Sequence, residues 1–274
     1  MMRKKFLRNL QMFVGAGVIL FFILVAIFAP FIATHDPLYV EIPRRLQGSS
    51  SEHLLGTDDL GRDMFSRIVH GTRVSVVVGF SAVGIGALAG VVLGILSGYF
   101  GGILDTLTMR IMDIMLAFPG VLLGLVIMTV LGRSMFNLIL TVAILNIPTF
   151  ARIVRGSTLS VKKLEYIDAI RAVGAGNTRI IFVHILPNIL SPIIVQVTLS
   201  VGTAIVTAAI LSFLGLGIPA PTPEWGSLVE RGRGWLIQAP HMIYYPGLMI
   251  FLFVVGINLF GDGLRDYLEP KKHR

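Results

Sequence analysis

The chain has 274 residues, of which 54% are hydrophobic and only 14% are charged, and its mean hydropathy is +0.82. Soluble domains carry about 25% charged residues, so this composition predicts a membrane protein. The absence of cysteine excludes disulfides and cysteine-based metal sites. The net charge of +8 is distributed along the chain as in membrane proteins rather than as in nucleic-acid-binding proteins.

Six uncharged runs can each supply the roughly 20 apolar residues that cross a bilayer. In chain order they cover residues 9–34, 74–104, 114–132, 134–151, 185–223 and 242–261. The first run is longer than the core of a cleaved signal peptide and ends without a small-x-small cleavage site, so it is interpreted as a retained span. The sequence therefore predicts an all-α membrane protein with six transmembrane helices.

The distribution of Lys and Arg predicts the orientation of these spans. With a cytoplasmic N-terminus, fifteen of the 23 basic residues fall in cytoplasmic segments and eight fall outside. This bias predicts that both termini are cytoplasmic. We interpret residues 1–73 as an N-terminal segment comprising the first span and an extracytoplasmic loop. Residues 74–274 form a five-span core, with a cytoplasmic loop at about 152–187 between spans 4 and 5.

The second span carries glycine at every fourth position. The helix-packing assignment covers Gly86, Gly90, Gly94 and Gly98, and Gly102 continues the series. Residues four apart lie on one helix face, so this spacing predicts a surface on which another helix backbone can approach closely.

The predicted outer segment 218–241 is interrupted by prolines and carries Trp225 and Trp235. Tryptophan side chains are typical of the membrane–water interface, where one edge of the ring meets water. We interpret both residues in this way, although either one alone is also consistent with an ordinary loop aromatic.

No motif for catalysis or cofactor binding occurs in the sequence. It lacks a phosphate-cradling P-loop and a His-Glu-x-x-His motif, and its six histidines are scattered, so no catalytic, cofactor-binding or metal-binding residue is predicted. The uncharged runs hold neutral polar residues that could line a pathway or form interhelical hydrogen bonds. The candidates for a pathway are Asn146, Gln196, Thr203, Thr207 and Asn258.

The absence of charge from these runs bears on the energy source. A self-contained secondary carrier of small polar solutes is the alternative function, but it requires a buried ionisable group that the runs lack. An intramembrane enzyme is a more distant alternative. The chain therefore offers a route across the membrane without an evident source of energy, which indicates a partner.

The cytoplasmic loop contains an apolar stripe at every third position, formed by Leu164, Ile167, Ile170 and Val173. Gly174 follows where the end of a helix favours a left-handed residue, and Asn177 is predicted to cap the next helix. This pattern predicts a helical protrusion that docks on another protein. The periodicity alone equally allows the stripe to pack against the protein's own helix ends.

The residues "DAIRAVGAGNTRIIFVHILP" resemble the EAA loop of permease subunits in binding-protein-dependent ABC importers. The positions that match are Asp168, Ala169, Gly174, Leu186 and Pro187. Asp168 replaces the glutamate of that motif and Ile170 replaces its second alanine.

Four further segments resemble the C-type permease subunit of dipeptide and oligopeptide importers. They are "HLLGTDDLGRDMFSRIVHGTRVSVVVG", "MRIMDIMLAFPG", "FLGLGIPAPTPEWG" and "GDGLRDYLEP". The first span resembles the additional N-terminal segment of that subunit, so the likeness covers nearly the whole chain. Nickel and glutathione importers share this subunit type, which leaves both as alternative substrates.

The resemblance implies a permease of the bacterial or archaeal inner membrane that is not itself an enzyme. Its expected partners are a homologous second permease, two cytosolic ATPase subunits, an extracytoplasmic binding protein, the peptide substrate and membrane lipid, without nucleic acid. ATP and Mg²⁺ are expected on the ATPases, with no cofactor in this chain. The residues expected to contact an ATPase are Ile167, Asp168, Ala169, Ile170 and Gly174, with Ile167 inferred from the stripe.

Overall fold

A computed structural model describes residues 2–268. Its α-helices are α1 (Met2–Ile32), α2 (Met64–Phe100), α3 (Gly102–Ala117), α4 (Gly120–Leu131), α5 (Met135–Lys162), α6 (Glu165–Ala172), α7 (Asn177–Arg179), α8 (Leu186–Leu211), α9 (Trp225–Gly232) and α10 (His241–Leu268). The π-helical stretch Ile180–Ile185 joins α7 to α8, and a second π-helical stretch, Ser212–Leu216, follows the end of α8. Lys271, Lys272 and Arg274, which contribute to the predicted orientation, lie outside the described residues, as does the end of the "GDGLRDYLEP" segment.

Five helical runs are long and apolar enough to cross a membrane. They are Leu10–Ile32, Met64–Phe100, Met135–Lys162, Asn177–Leu216 and His241–Leu268. The pair α3 and α4 passes the same test together, with a bend of 97° between the two helices. The described residues therefore contain five candidate spans, or six when the bent pair counts as one.

The predicted span at 114–132 is not one straight helix, because the chain turns at Phe118 and Pro119. Phe118 has an extended backbone (φ −91°, ψ 139°), as expected for a residue that precedes proline, and Pro119 is the N-cap of α4. At 1.5 Å per residue, the 12 residues of α4 rise about 18 Å, which is too short to cross the bilayer alone.

The other helices extend beyond the uncharged runs that predict them. Helix α2 begins at Met64 rather than at residue 74, because the Asp63 side chain caps it by accepting the Ser66 N–H at 2.7 Å. Helix α5 continues to Lys162 rather than ending at residue 151. A run without charges marks only the part of a helix that lies in hydrocarbon.

The glycine face of α2 packs against α5. A Cβ atom on Gly90 would lie 2.4 Å from Phe150 Cβ, and one on Gly94 would lie 2.7 Å from the Ala151 carbonyl oxygen. Cβ atoms on Gly86 and Gly98 would likewise come within 3.0 Å of α5 atoms. Gly102 lies beyond the end of α2 and has open space around it, so the packed face stops at Gly98.

The helix bundle has two different ends. At the end that we call the α6 end, Tyr99 near the end of α2 donates from its hydroxyl to Asn177 Oδ1 at 2.8 Å. At the opposite end, the α9 end, Trp225 is fully buried and packs edge-to-face on Phe22 with ring centroids 5.6 Å apart. The interpretation of Trp225 as an interface residue is therefore wrong.

Candidate functional site: the α6 loop and the α8 stripe

Helix α6 ends in the cap that its glycine predicts. Gly174 has φ +88° and donates its N–H to the Arg171 carbonyl at 3.0 Å. Ala175 donates its N–H to the Ile170 carbonyl at 3.2 Å. These two bonds form a Schellman motif, which satisfies carbonyls at the helix end and fixes the direction of the chain that follows.

The two middle residues of the apolar stripe, Ile167 and Ile170, face inward rather than toward a partner. Ile167 is completely buried in a cluster with Ile180 and Ile185, and Ile170 packs half-buried against the same cluster. The prediction that Ile167 contacts an ATPase directly is therefore wrong. Its side chain instead anchors α6 to the membrane helices.

Helix geometry explains why the stripe divides. Each residue of an α-helix turns by 100°, so a spacing of three falls about 60° short of a full turn at every step. Four such positions cannot share one face. Accordingly Leu164 and Val173, at the two ends of the series, are exposed, and Val173 is 84% exposed.

The outer face of α6 is a small surface of mixed polarity. Asp168 and Ala169 are exposed beside Val173, and Arg171 donates to the Asp168 carboxylate at 2.9 Å. Exposed i,i+3 ion pairs stabilise a helix by only a few tenths of a kcal/mol, so both charged groups stay available. Of the residues expected to contact an ATPase, Asp168, Ala169 and Gly174 lie exposed on this loop.

Polar contacts tie the loop to the end of α2. Lys162 donates from Nζ to the Tyr99 carbonyl at 2.6 Å, in addition to the Tyr99–Asn177 bond. The N-cap of the following helix is Gly176. The predicted cap, Asn177, is therefore wrong by one residue. Leu186 and Pro187 follow the π-helical stretch Ile180–Ile185 directly and begin α8.

An ion pair that the sequence analysis does not reveal lies between helices near the α6 end. Arg155 of α5 donates from Nε and Nη2 to the two carboxylate oxygens of Asp105 at 2.5 and 2.6 Å, and Ser97 also donates to Asp105. The Arg155 carbonyl lies beside Gly98, close to the end of α2. The pair therefore joins the ends of α2, α3 and α5 rather than lying at the centre of a span.

Three of the candidate pathway residues form a polar stripe along α8. Gln196 donates from Nε2 to Ser200 Oγ at 3.0 Å, and Thr203 donates to the Ser200 carbonyl at 2.9 Å. Thr207 donates to the Thr203 carbonyl at 2.8 Å. Thr203 is exposed, and its neighbours on the stripe are partly exposed or buried.

The remaining two candidates occupy different places. Asn258 of α10 is exposed, and its Oδ1 lies 3.5 Å from the point where a Cβ on Gly202 would be. Because each residue turns the helix by 100°, Gly202 lies on a different face of α8 from the stripe. Asn146 of α5 instead faces α2, since its Cβ lies 3.0 Å from a Cβ built on Gly86. The structure thus aligns Gln196, Thr203 and Thr207 along α8 and places Asn258 and Asn146 away from that stripe.

The α9 end holds buried polar groups that the sequence analysis does not single out. The Glu224 side chain caps α9 by accepting the N–H groups of Gly226 and Ser227, and burial raises the pKa of its carboxyl. The rings of His35 and His53 lie 4.9 Å apart, so the expectation that the histidines do not cluster is wrong for this pair. Their meeting depends on a loop fold that sequence spacing does not reveal.

Comparison with known proteins places this architecture in a class. The fold is similar to a chain of an inward-facing methionine ABC transporter, with a TM-score of 0.62 and 19% identity over 75% of this chain and 97% of that one. The model of the binding-protein-dependent transport system inner membrane component matches residues 90–274. The model of the N-terminal TM domain of oligopeptide transport permease C matches residues 1–48.

Relatives that match this chain over most of their length are also transport system permeases. A dipeptide transport system permease protein of Alkalihalophilus pseudofirmus is 49% identical over 98% of this chain and 88% of its own length. A glutathione transport system permease protein of Pectobacterium atrosepticum is 46% identical over 98% and 89%, and a di/tripeptide permease of Pseudomonas aeruginosa is 43% identical over 93% and 87%.

The chain is thus a membrane subunit of an ABC importer. It belongs to the family of binding-protein-dependent transport system inner membrane components, and it is a multi-pass protein of the bacterial inner membrane. The resemblance found in its sequence is confirmed.

Proposed function

We propose that this chain is one of two permease subunits of an ATP-driven importer of dipeptides and oligopeptides, and that α6 couples it to a cytosolic ATPase. The relatives named for dipeptides and for di- and tripeptides support the peptide substrate. The remaining subunits would be a homologous permease, two ATPases and an extracytoplasmic binding protein. ATP and Mg²⁺ belong on the ATPases in this proposal, because this chain lacks a phosphate-cradling motif.

Glutathione is the second candidate substrate, since relatives named for its transport are 46% identical over 98% of the chain. A competition experiment distinguishes the two candidate substrates. It measures the uptake of a labelled dipeptide by the reconstituted complex in the presence of glutathione. A peptide importer retains dipeptide uptake in excess glutathione, whereas a glutathione importer loses it.

The anchoring of α6 is the observation that carries the coupling proposal. Ile167 shares one buried cluster with Tyr99 of α2, Val154 of α5 and Ile189 of α8. Because packed interiors deform little, a displacement of α6 moves the ends of three spans together. A loop that served only as a linker would not require a completely buried side chain such as that of Ile167.

The docking surface in this proposal is the exposed side of the loop, centred on Val173. We expect Val173→Asp to reduce co-purification of the ATPase subunit by about tenfold or more, because the contact would have to bury a carboxylate. The matched control is Ile237→Asp, which places the same charge at the α9 end on a side chain that is 95% exposed.

The measurement is the ratio of ATPase to permease recovered from mild detergent. Equal ratios for Val173→Asp and the unmutated chain would show that the ATPase binds elsewhere. A loss in both variants would indicate a general effect on the complex rather than a contact at the loop.

The α8 stripe is the proposed wall of the pathway. Thr203 keeps its shape in Thr203→Val but loses the hydroxyl, so peptide uptake should fall while the complex stays intact. Thr198→Val is the control, since Thr198 is buried on α8 and donates to the Ile194 carbonyl. Equal uptake by both variants, measured in proteoliposomes, would remove Thr203 from the pathway.

A further inference from the structure

Three metal-ligating side chains meet at the α9 end, although they are far apart in the sequence. His35 follows the end of α1, His53 lies in the long loop and Asp63 caps α2. The Nδ1 atoms of His53 and His35 lie 2.9 and 3.8 Å from Asp63 Oδ1. One ligand atom from each residue fits within a group whose members are all within 4.8 Å of one another.

These distances suit a small divalent ion. Zn²⁺ takes imidazole nitrogen and carboxylate oxygen at about 2.0–2.1 Å, which in tetrahedral geometry places ligand atoms roughly 3.3 Å apart. The two distances to Asp63 Oδ1 lie on either side of that value, so small shifts of the imidazole rings accommodate the ion. We propose that His35, His53 and Asp63 bind a divalent transition metal ion, with Zn²⁺ as the ion that fits best.

The surroundings hold two of the ligands in place. Asp63 Oδ2 accepts the Ser66 N–H at 2.7 Å, which fixes the carboxylate and leaves Oδ1 toward the histidines. His53 is almost fully buried, and its backbone N–H donates to Ser50 Oγ at 3.0 Å. Ligands fixed in this way lose little conformational freedom when the ion binds.

Access and charge also favour a cation. The His35 side chain is 35% exposed, so an ion can enter from solvent and keep a water ligand at its open position. Arg44 Nη1 lies 3.5 Å from His53 Nε2, but the same guanidinium already pairs with Glu41 at 3.0 Å and with Glu52. It therefore has anionic partners to which it can turn when the ion binds.

The ligand set defines the selectivity. Mg²⁺ and Ca²⁺ require mainly oxygen ligands, whereas two imidazoles select Zn²⁺ and its neighbours in the transition series. Bound there, the ion would link the end of α1, the loop and the start of α2. It would thus stabilise the outer loop of the bundle by mass action.

The test is Zn²⁺ binding to the full chain, purified with an affinity tag that contains no histidine and dialysed against Zn²⁺ with excess Mg²⁺. We expect about one Zn²⁺ per chain, and binding at least about tenfold weaker in His35→Ala. His70→Ala is the matched control, because His70 is a partly exposed histidine outside the cluster, and it should bind as the unmutated chain does.

Co²⁺ provides a second measurement that needs no variant, since tetrahedral coordination by nitrogen and oxygen gives a visible absorption band. No stoichiometric Zn²⁺ and no Co²⁺ band would overturn the proposal and leave a hydrogen-bonded His–Asp network only. Equal Zn²⁺ affinity in His35→Ala and the unmutated chain would overturn it too, by placing the bound ion at another site.

Discussion

The contact between α2 and α5 makes a quantitative prediction at Gly90. A methyl group there would lie 2.4 Å from Phe150 Cβ and 2.9 Å from the Ile147 carbonyl oxygen. Phe150 is fully buried, and its Cβ and the Ile147 carbonyl can move only with the backbone of α5. Gly90→Ala must therefore force the two helices apart locally. Gly84, on the same helix, has nothing within 4 Å of its Cβ position, so Gly84→Ala is the matched control.

The expected magnitude follows from comparing the two variants. Replacing glycine by alanine inside a helix gains about 1 kcal/mol of helix propensity, and both variants share this gain. Overpacking a close contact costs about 1–3 kcal/mol, and only Gly90→Ala incurs it. The free energy of unfolding of Gly90→Ala should therefore be lower than that of Gly84→Ala by about 1–3 kcal/mol.

The assay is unfolding of the purified full chain in mixed micelles by titration with a denaturing detergent. Tryptophan fluorescence reports the loss of packing, since Trp225, one of the two tryptophans, is fully buried. Equal midpoints and slopes for Gly90→Ala and Gly84→Ala would refute the close α2–α5 contact. A stabilised Gly84→Ala, with a Gly90→Ala that is less stable than it by about 1–3 kcal/mol, is the pattern that the geometry requires.

Two further predictions concern the cap of α6 and the cap of α9. Gly174→Val should uncouple ATP hydrolysis from uptake in proteoliposomes, because a β-branched residue at φ +88° costs about 1–2 kcal/mol or more. The control Gly176→Val, at φ −70°, should transport normally. Normal uptake by both variants would contradict the capping argument. Burial raises the pKa of the Glu224 carboxyl above its ordinary value of 4.5, so the folded chain binds the carboxyl proton more tightly than the unfolded chain does. The protonated carboxyl therefore contributes stability at low pH, and this contribution is lost as the pH rises from 4.5 through the raised pKa of the folded chain. The thermal midpoint of the unmutated chain minus that of Glu224→Gln should therefore fall with rising pH, and a constant difference would show that Glu224 is not shifted.

The sequence determined the features that depend on local physics. Uncharged runs located five of the helical spans because hydrocarbon excludes charge over a fixed length, and the sixth run corresponds to the bent pair α3 and α4. The four-residue spacing of glycine marked the face of α2 that packs closely, because helical periodicity places those residues in one line. Gly174 marked the end of α6, since its left-handed conformation is unfavourable for other residues.

Tertiary structure decided the features that depend on residues far apart in the chain. Ile167 points inward because the run from Ile180 to Ile189 lies beneath α6, and periodicity alone cannot tell a docking face from an anchoring face. Trp225 is buried because Phe22 and helix α10 cover it, although its position suits a membrane interface.

The meeting of His35, His53 and Asp63 likewise depends on the path of the loop, which no local pattern specifies. Sequence patterns record which side chains can lie on a common surface. Whether such a surface contacts water, lipid or another helix depends on how distant segments pack, because burial is a property of the whole fold.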